Sequence, residues 1–138
     1  LNAVAPAEAP DAGNRRRDIV LGNNGDPYGE DVPGLGKITC PADVLKTMKD
    51  IFIAAGFSVG INFPYAGGFI ARHYGTTLIQ QGKFAIQIEI NQALFTDEEK
   101  TEMLPERLKW VRRKMTQCLE AIAKTRFFAS PSRYFLIS

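Results

Sequence analysis

The sequence predicts an α/β domain built on a mostly parallel or mixed sheet with flanking helices. Three features carry that expectation: an apolar run ending in glycine at 18–22, a helical apolar period that begins near Pro41, and a strictly alternating run at 84–90. At 138 residues the chain holds one domain with a continuous core. Its 45% hydrophobic and 23% charged residues are ordinary for a globular protein.

Residues 1–17 are rich in Ala, Pro and Gly, show no hydrophobic period and end in Arg15, Arg16 and Arg17. They read as a linker or disordered lead-in, the arginines being a solvated approach to the first strand. Leu1, standing where a Met would begin a chain, reads as a cut. Residues 18–138 then form the domain. Asp18, Ile19, Val20, Leu21 and Gly22 suit a buried strand, and the following loop, with Gly25, Pro27, Gly29, Pro33 and Gly34, turns rather than packs. Val44, Leu45, Met48, Phe52 and Ala55 predict a helix, with Thr39 available to cap it and Gly56 to end it. Residues 57–61 read as a second strand, which completes a βαβ unit with the usual right-handed crossover.

Residues 62–83 read as a long glycine-rich connection to a third strand at 84–90. Leu108, Val111, Met115, Leu119 and Ile122 give the stripe of a last helix beginning at Pro105, with Arg112, Arg113 and Lys114 turned away from it. Trp110 falls at the packing boundary of that helix, and Cys40 and Cys118 read as small core thiols. Residues 96–102 look like a solvated helix start, and residues 134–137 like a further edge strand.

A formal charge of +2, from 17 basic against 15 acidic residues, gives no field suited to nucleic acid or an anionic membrane. No apolar run approaches the roughly 20 residues of a spanning helix. The cysteines form no CxxC pair, so neither a zinc ribbon nor a redox pair is indicated, and a reduced, cytoplasmic setting is expected.

Alternation in the third strand places Phe84, Ile86, Ile88 and Ile90 on one face and Ala85, Gln87, Glu89 and Asn91 on the other. Either this is an edge strand with a wet face, or Glu89 stands at a strand end, where α/β sheets place ligands, and acts as a general acid or base. The preceding segment contains Asn62, Pro64, Tyr65 and the pair Gly67 and Gly68, whose backbone can approach a ligand closely. Arg72 offers a planar fork for a carboxylate, and His73 is the one histidine of the chain.

Asn62, Pro64, Tyr65, Gly67 and Gly68, followed by Arg72, His73, Tyr74 and Gly75 and then by Ile86, Gln87, Ile88, Glu89, Ile90 and Asn91, resemble the C-terminal half of the N-formylglutamate amidohydrolase family. The resemblance spans about residues 18–125. It implies an incomplete hydrolase-type domain related to zinc carboxypeptidases and to the phosphorylase/hydrolase-like architecture. The implied activity is removal of an N-formyl or other small N-acyl group from glutamate or a similar amino acid.

By that resemblance Glu89 activates water, Arg72 binds the substrate carboxylate, and Asn62, Tyr65, Gly67, Gly68, Gln87 and Asn91 line the substrate site. His73 corresponds to a metal ligand or to a residue supporting one. The implied cofactor is a divalent metal, zinc above all, whose usual three protein ligands exceed one histidine. The implied partners are the small N-acyl amino-acid substrate and the missing N-terminal half of the same enzyme, with no nucleic acid and no membrane. The competing expectation is a non-catalytic fragment or degenerate relative that binds an acidic amino acid through Arg72 and the Gly67–Gly68 backbone.

Overall fold

The computed structural model describes residues 1–128; the strand expected at 134–137 lies outside them. In chain order the elements are β1 (Ile19–Gly22), α1 (Ala42–Ala54), β2 (Val59–Ile61), α2 (Phe69–Gln80), β3 (Gln87–Ile90), a 3-10 turn (Gln92–Leu94), β4 (Thr96–Asp97), β5 (Glu102–Met103) and α3 (Pro105–Ala123). The main sheet has the order β2-β1-β3. It is mixed: β1 pairs parallel with β2, Ile19 opposite Val59, and antiparallel with β3, Val20 opposite Glu89 and Gly22 opposite Gln87.

Strand periodicity gives β1 two different faces. Ile19 and Leu21 turn toward α1 and α3, joining Val44, Leu45, Met48 and Phe52 of the first helix and Val111, Met115, Cys118 and Ile122 of the second in one core with Ile86 and Ile88. Trp110 rims that core, its ring 5.7 Å edge-to-face from Phe57. Both cysteines are buried and unpaired. Gly56, with φ 101°, ends α1 as its spacing predicts, and the Phe57 N–H donates to the Phe52 carbonyl at 3.1 Å.

Four expectations are corrected. Thr39 does not cap α1, whose N-cap is Pro41; its hydroxyl donates to the Ala85 carbonyl at 2.6 Å and stitches the loop after β1 to the lead into β3. The connection at 62–83 contains α2. Sequence periodicity conceals this helix because its buried residues are the small Ala71 and Gly75, while Phe69, Ile70 and Tyr74 are exposed.

The acidic stretch at 96–102 is a hairpin of β4 and β5 instead of a helix start. Asp97 Oδ1 accepts from the Glu99 and Lys100 N–H groups, each at 3.2 Å, and so offers the backbone a turn in place of a helix. Residues 1–17 are no free tether. They close on themselves through the Ala5 N–H to the Asn14 carbonyl at 3.0 Å, and Leu1 donates its amino group to the Ile90 carbonyl, also at 3.0 Å. No described helix is long and apolar enough to cross a membrane.

Gly75 shows why α2 can lie so close to the sheet. A Cβ there would stand 2.4 Å from Thr39 Cβ and 3.1 Å from Ala85 Cβ, so no larger residue fits without displacing backbone. Gly75→Ala gains about 1 kcal/mol of helix propensity, yet overpacking of about 1–3 kcal/mol opposes it. We expect a lower urea midpoint for Gly75→Ala and an unchanged one for the exposed Thr77→Ala; equal midpoints for the two would contradict this packing.

Candidate functional site

The site face is the side of the sheet turned away from α1 and α3. It carries Val20, Gly22, Gly60, Gln87 and Glu89. The segment 62–68 folds back over this face and starts where the Asn62 N–H donates to the Leu21 carbonyl at 2.8 Å. Gly22 has no side chain to obstruct it: a Cβ there would lie 2.7 Å from the Ala66 carbonyl oxygen. That oxygen instead accepts from the Asn24 N–H at 2.6 Å.

At the far end of the segment, Gly68 opens α2 and donates its N–H to Gln87 Oε1. Gln87 Nε2 in turn donates to Glu89 Oε1. The glycine turn and the polar face of β3 therefore do meet, as the sequence spacing suggests. The reasoning from the strand end fails, however, because β3 runs antiparallel to β1. The carboxyl end of β1 at Gly22 stands opposite Gln87, while Glu89 lies opposite Val20, two residues deeper in the sheet. β3 is the edge of the described sheet, but its polar face is not simply wet: Glu89 is half-buried and Asn91 is 4% exposed.

The other expected residues are placed differently. Asn62 is buried, with a φ of 54°, and its amide is fully engaged in building the loop. Its Oδ1 accepts from the Asn23 N–H at 2.9 Å, and its Nδ2 donates to Asn23 Oδ1 at 2.7 Å and to the Asp26 carbonyl at 2.6 Å. Asn91 likewise turns to the backbone, accepting from the Ala93 N–H at 3.0 Å to cap the 3-10 turn. The structure thus puts both asparagines to work on the chain itself.

Arg72 and His73 sit on α2 rather than on a glycine-rich loop, and both are exposed. Among the described residues the Arg72 guanidinium has no hydrogen-bond or ion-pair partner. His73 stacks on Phe69, with centroids 5.3 Å apart at 15°, and meets the edge of Tyr74 at 4.9 Å. Two cavities of about 440 and 410 Å³ flank the glycine-rich loop after β1, one against α1 with Lys46 and Lys49 in its wall, the other against α2 with Thr76 and Ile79. Neither is lined by Arg72 or Glu89.

No group of three His, Cys, Asp or Glu side chains able to hold a metal ion occurs among the described residues. His73 has aromatic neighbours and no partner ligand, and burial pushes the Cys40 thiol well above its usual range, away from the thiolate a metal requires. The donor set among the described residues does not fit the expected zinc centre.

Sequence reasoning misses a buried ion pair beside the site. Arg16 donates to both carboxylate oxygens of Asp11, each at 2.9 Å, and to the Tyr65 hydroxyl at 3.3 Å, with its guanidinium 5.4 Å from the Tyr65 ring centroid. The lead-in is thereby fastened to the segment over the site face. Asn23 is missed too, although an Asn pair between an apolar strand and a glycine is a signal that buried amides organise a turn. Its Nδ2 donates to the Gly29 carbonyl at 2.8 Å and to the Cys40 carbonyl at 2.7 Å.

The hydrogen bonds from Arg16 hold the Asp11 carboxyl below its ordinary value of 3.8. A depressed carboxyl stabilises the fold above the unfolded-state value and loses that contribution as pH falls through it. Between about pH 5 and pH 3 the urea midpoint of the wild type should therefore fall more steeply than that of Asp11→Asn, which should already be lower at pH 7 because Arg16 is left without its counter-ion. Parallel pH profiles would refute the coupling.

A family model described as N-formylglutamate amidohydrolase matches residues 2–96, which takes in the lead-in and stops before α3. Among solved structures the fold is similar to the crystal structure of N-formylglutamate amidohydrolase from Ralstonia eutropha JMP134. The TM-score is 0.59 and the identity 21%, over 83% of this chain and 36% of that chain. The present chain thus spans little more than a third of that relative's length. No curated protein matches the sequence. Neither comparison bears out the expectation that the chain represents only the C-terminal half of such a protein. With most of its length matched by the family model, the chain belongs to the N-formylglutamate amidohydrolase family.

Proposed function

We propose that this chain supplies the water-activating wall of an amidohydrolase that removes a formyl or other small acyl group from the amino nitrogen of glutamate or a similar amino acid. The observation that carries the reading is the meeting of the Gly68 turn with Gln87 and Glu89 on the sheet face opposite the helices. Glu89 is a half-buried carboxylate joined to that turn through Gln87, and the chain belongs to the N-formylglutamate amidohydrolase family.

In the proposed reaction Glu89 takes a proton from water as the water oxygen bonds to the amide carbonyl carbon. The proton then passes to the departing nitrogen as the C–N bond breaks, leaving formate and the free amino acid. Arg72, partnerless among the described residues, is proposed to bind the substrate carboxylate from the start of α2. The divalent ion implied by the family resemblance would have to draw its ligands from outside the described residues. A non-catalytic binding module built on the Gly67–Gly68 backbone is less well supported, because the Gly68 N–H already donates to Gln87.

With N-formylglutamate as substrate and divalent ion supplied, Glu89→Gln should lower the rate of formate release about 10²–10⁴-fold while leaving ligand affinity within a few-fold. Arg72→Ala should raise KM about tenfold or more. Turnover by Glu89→Gln close to wild type would remove the general-base role, and absence of formate release from the wild type would reject the activity.

A further inference from the structure

Gln87 occupies the place where the turn and the carboxylate are joined. It precedes Glu89 by two residues on the same face of β3, a separation of about 7 Å along a strand. It is also opposite Gly22, at the carboxyl end of β1, where segment 62–68 closes over the sheet. The direction of its amide is dictated by its neighbours. The Gly68 backbone N–H can only donate, so it faces Oε1; an ionised Glu89 can only accept, so it faces Nε2. A Cβ at 68 would lie 2.7 Å from Gln87 Oε1, so a larger residue there would push the Gln87 amide out of this position.

We propose that Gln87 is a positioning residue for Glu89 and not a substrate contact. Its amide fixes one carboxylate oxygen, Oε1, and leaves Oε2, which carries no hydrogen bond among the described residues, free to accept from the reacting water. The Gly68 N–H, by the same arrangement, is engaged by Gln87 and is not a donor to a developing oxyanion. The inference rests on the hydrolytic reading for its kinetic consequence, while the Gly68–Gln87–Glu89 arrangement is testable without turnover.

Two substitutions separate the halves of the contact. Gln87→Met keeps the length and removes both hydrogen bonds; Gln87→Glu keeps the acceptor for Gly68 but replaces the donor to Glu89 with a like charge. Both should lower kcat about tenfold or more with KM within about twofold. Gly68 amide exchange should accelerate severalfold in Gln87→Met and stay near wild type in Gln87→Glu. A rise in KM with unchanged kcat would make Gln87 a substrate contact and overturn the proposal, as would normal kcat in Gln87→Glu.

In the 138-residue chain, the Gln87 side-chain amide resonances should shift and exchange faster when Glu89 is replaced by Ala. Indifference of those resonances would overturn the arrangement itself. Their response in a protein that releases no formate would instead leave the contact standing and end only the hydrolytic reading.

Discussion

The approach of the Ala66 carbonyl to Gly22 is the constraint on which the site depends. β1 is the central strand, so both of its faces must be covered. Helices α1 and α3 cover one with apolar side chains, and the irregular segment 62–68 covers the other. Irregular backbone over a sheet brings polar groups that need partners. Ala66 finds its partner in the Asn24 N–H, Asn62 in Leu21 and Asn23, and Gly68 in Gln87. Remove the space at Gly22 and each of these contacts moves.

The two faces of the sheet divide the work of the molecule. On the helix face Ile19, Leu21, Ile86 and Ile88 supply the area that stabilises the fold. On the other face the same strands offer Val20, Gly22, Gly60, Gln87 and Glu89, a surface with few large side chains on which backbone can settle and a carboxylate can be held. The buried Asp11–Arg16 pair extends this second layer, because Arg16 reaches Tyr65 and ties residues far apart in sequence to the same covering segment. A buried ion pair is weak evidence for net stability. Its geometric effect here is to restrict where the segment lies.

How much of this was legible in the sequence follows from which physical signal each element emits. β1, α1, β2 and α3 were legible because their apolar residues face a shared core, and the buried set of α1, Val44, Leu45, Met48 and Phe52, follows the predicted stripe. α2 was not, since a helix that packs through Ala71 and Gly75 leaves no stripe. The polar face of β3 was legible, but its direction was not: alternation reads the same in a parallel and an antiparallel strand, so it does not reveal that the carboxyl ends of β1 and β3 point opposite ways. Asn62 and Asn91 read as substrate-lining residues through the family resemblance, yet composition cannot distinguish an amide that meets a ligand from one that completes a loop. The folding of residues 1–17 was invisible because it rests on Asp11, Arg16 and Tyr65, which share no period.

The most direct test of the account is amide hydrogen exchange at Asn24, whose N–H reaches the Ala66 carbonyl at 2.6 Å. Slow exchange in the wild type, lost in Gly22→Ala while the amides of α1 remain protected, is the predicted result. Exchange at the rate of an open loop in the wild type would mean that segment 62–68 does not rest on the sheet, and would contradict the site built upon it.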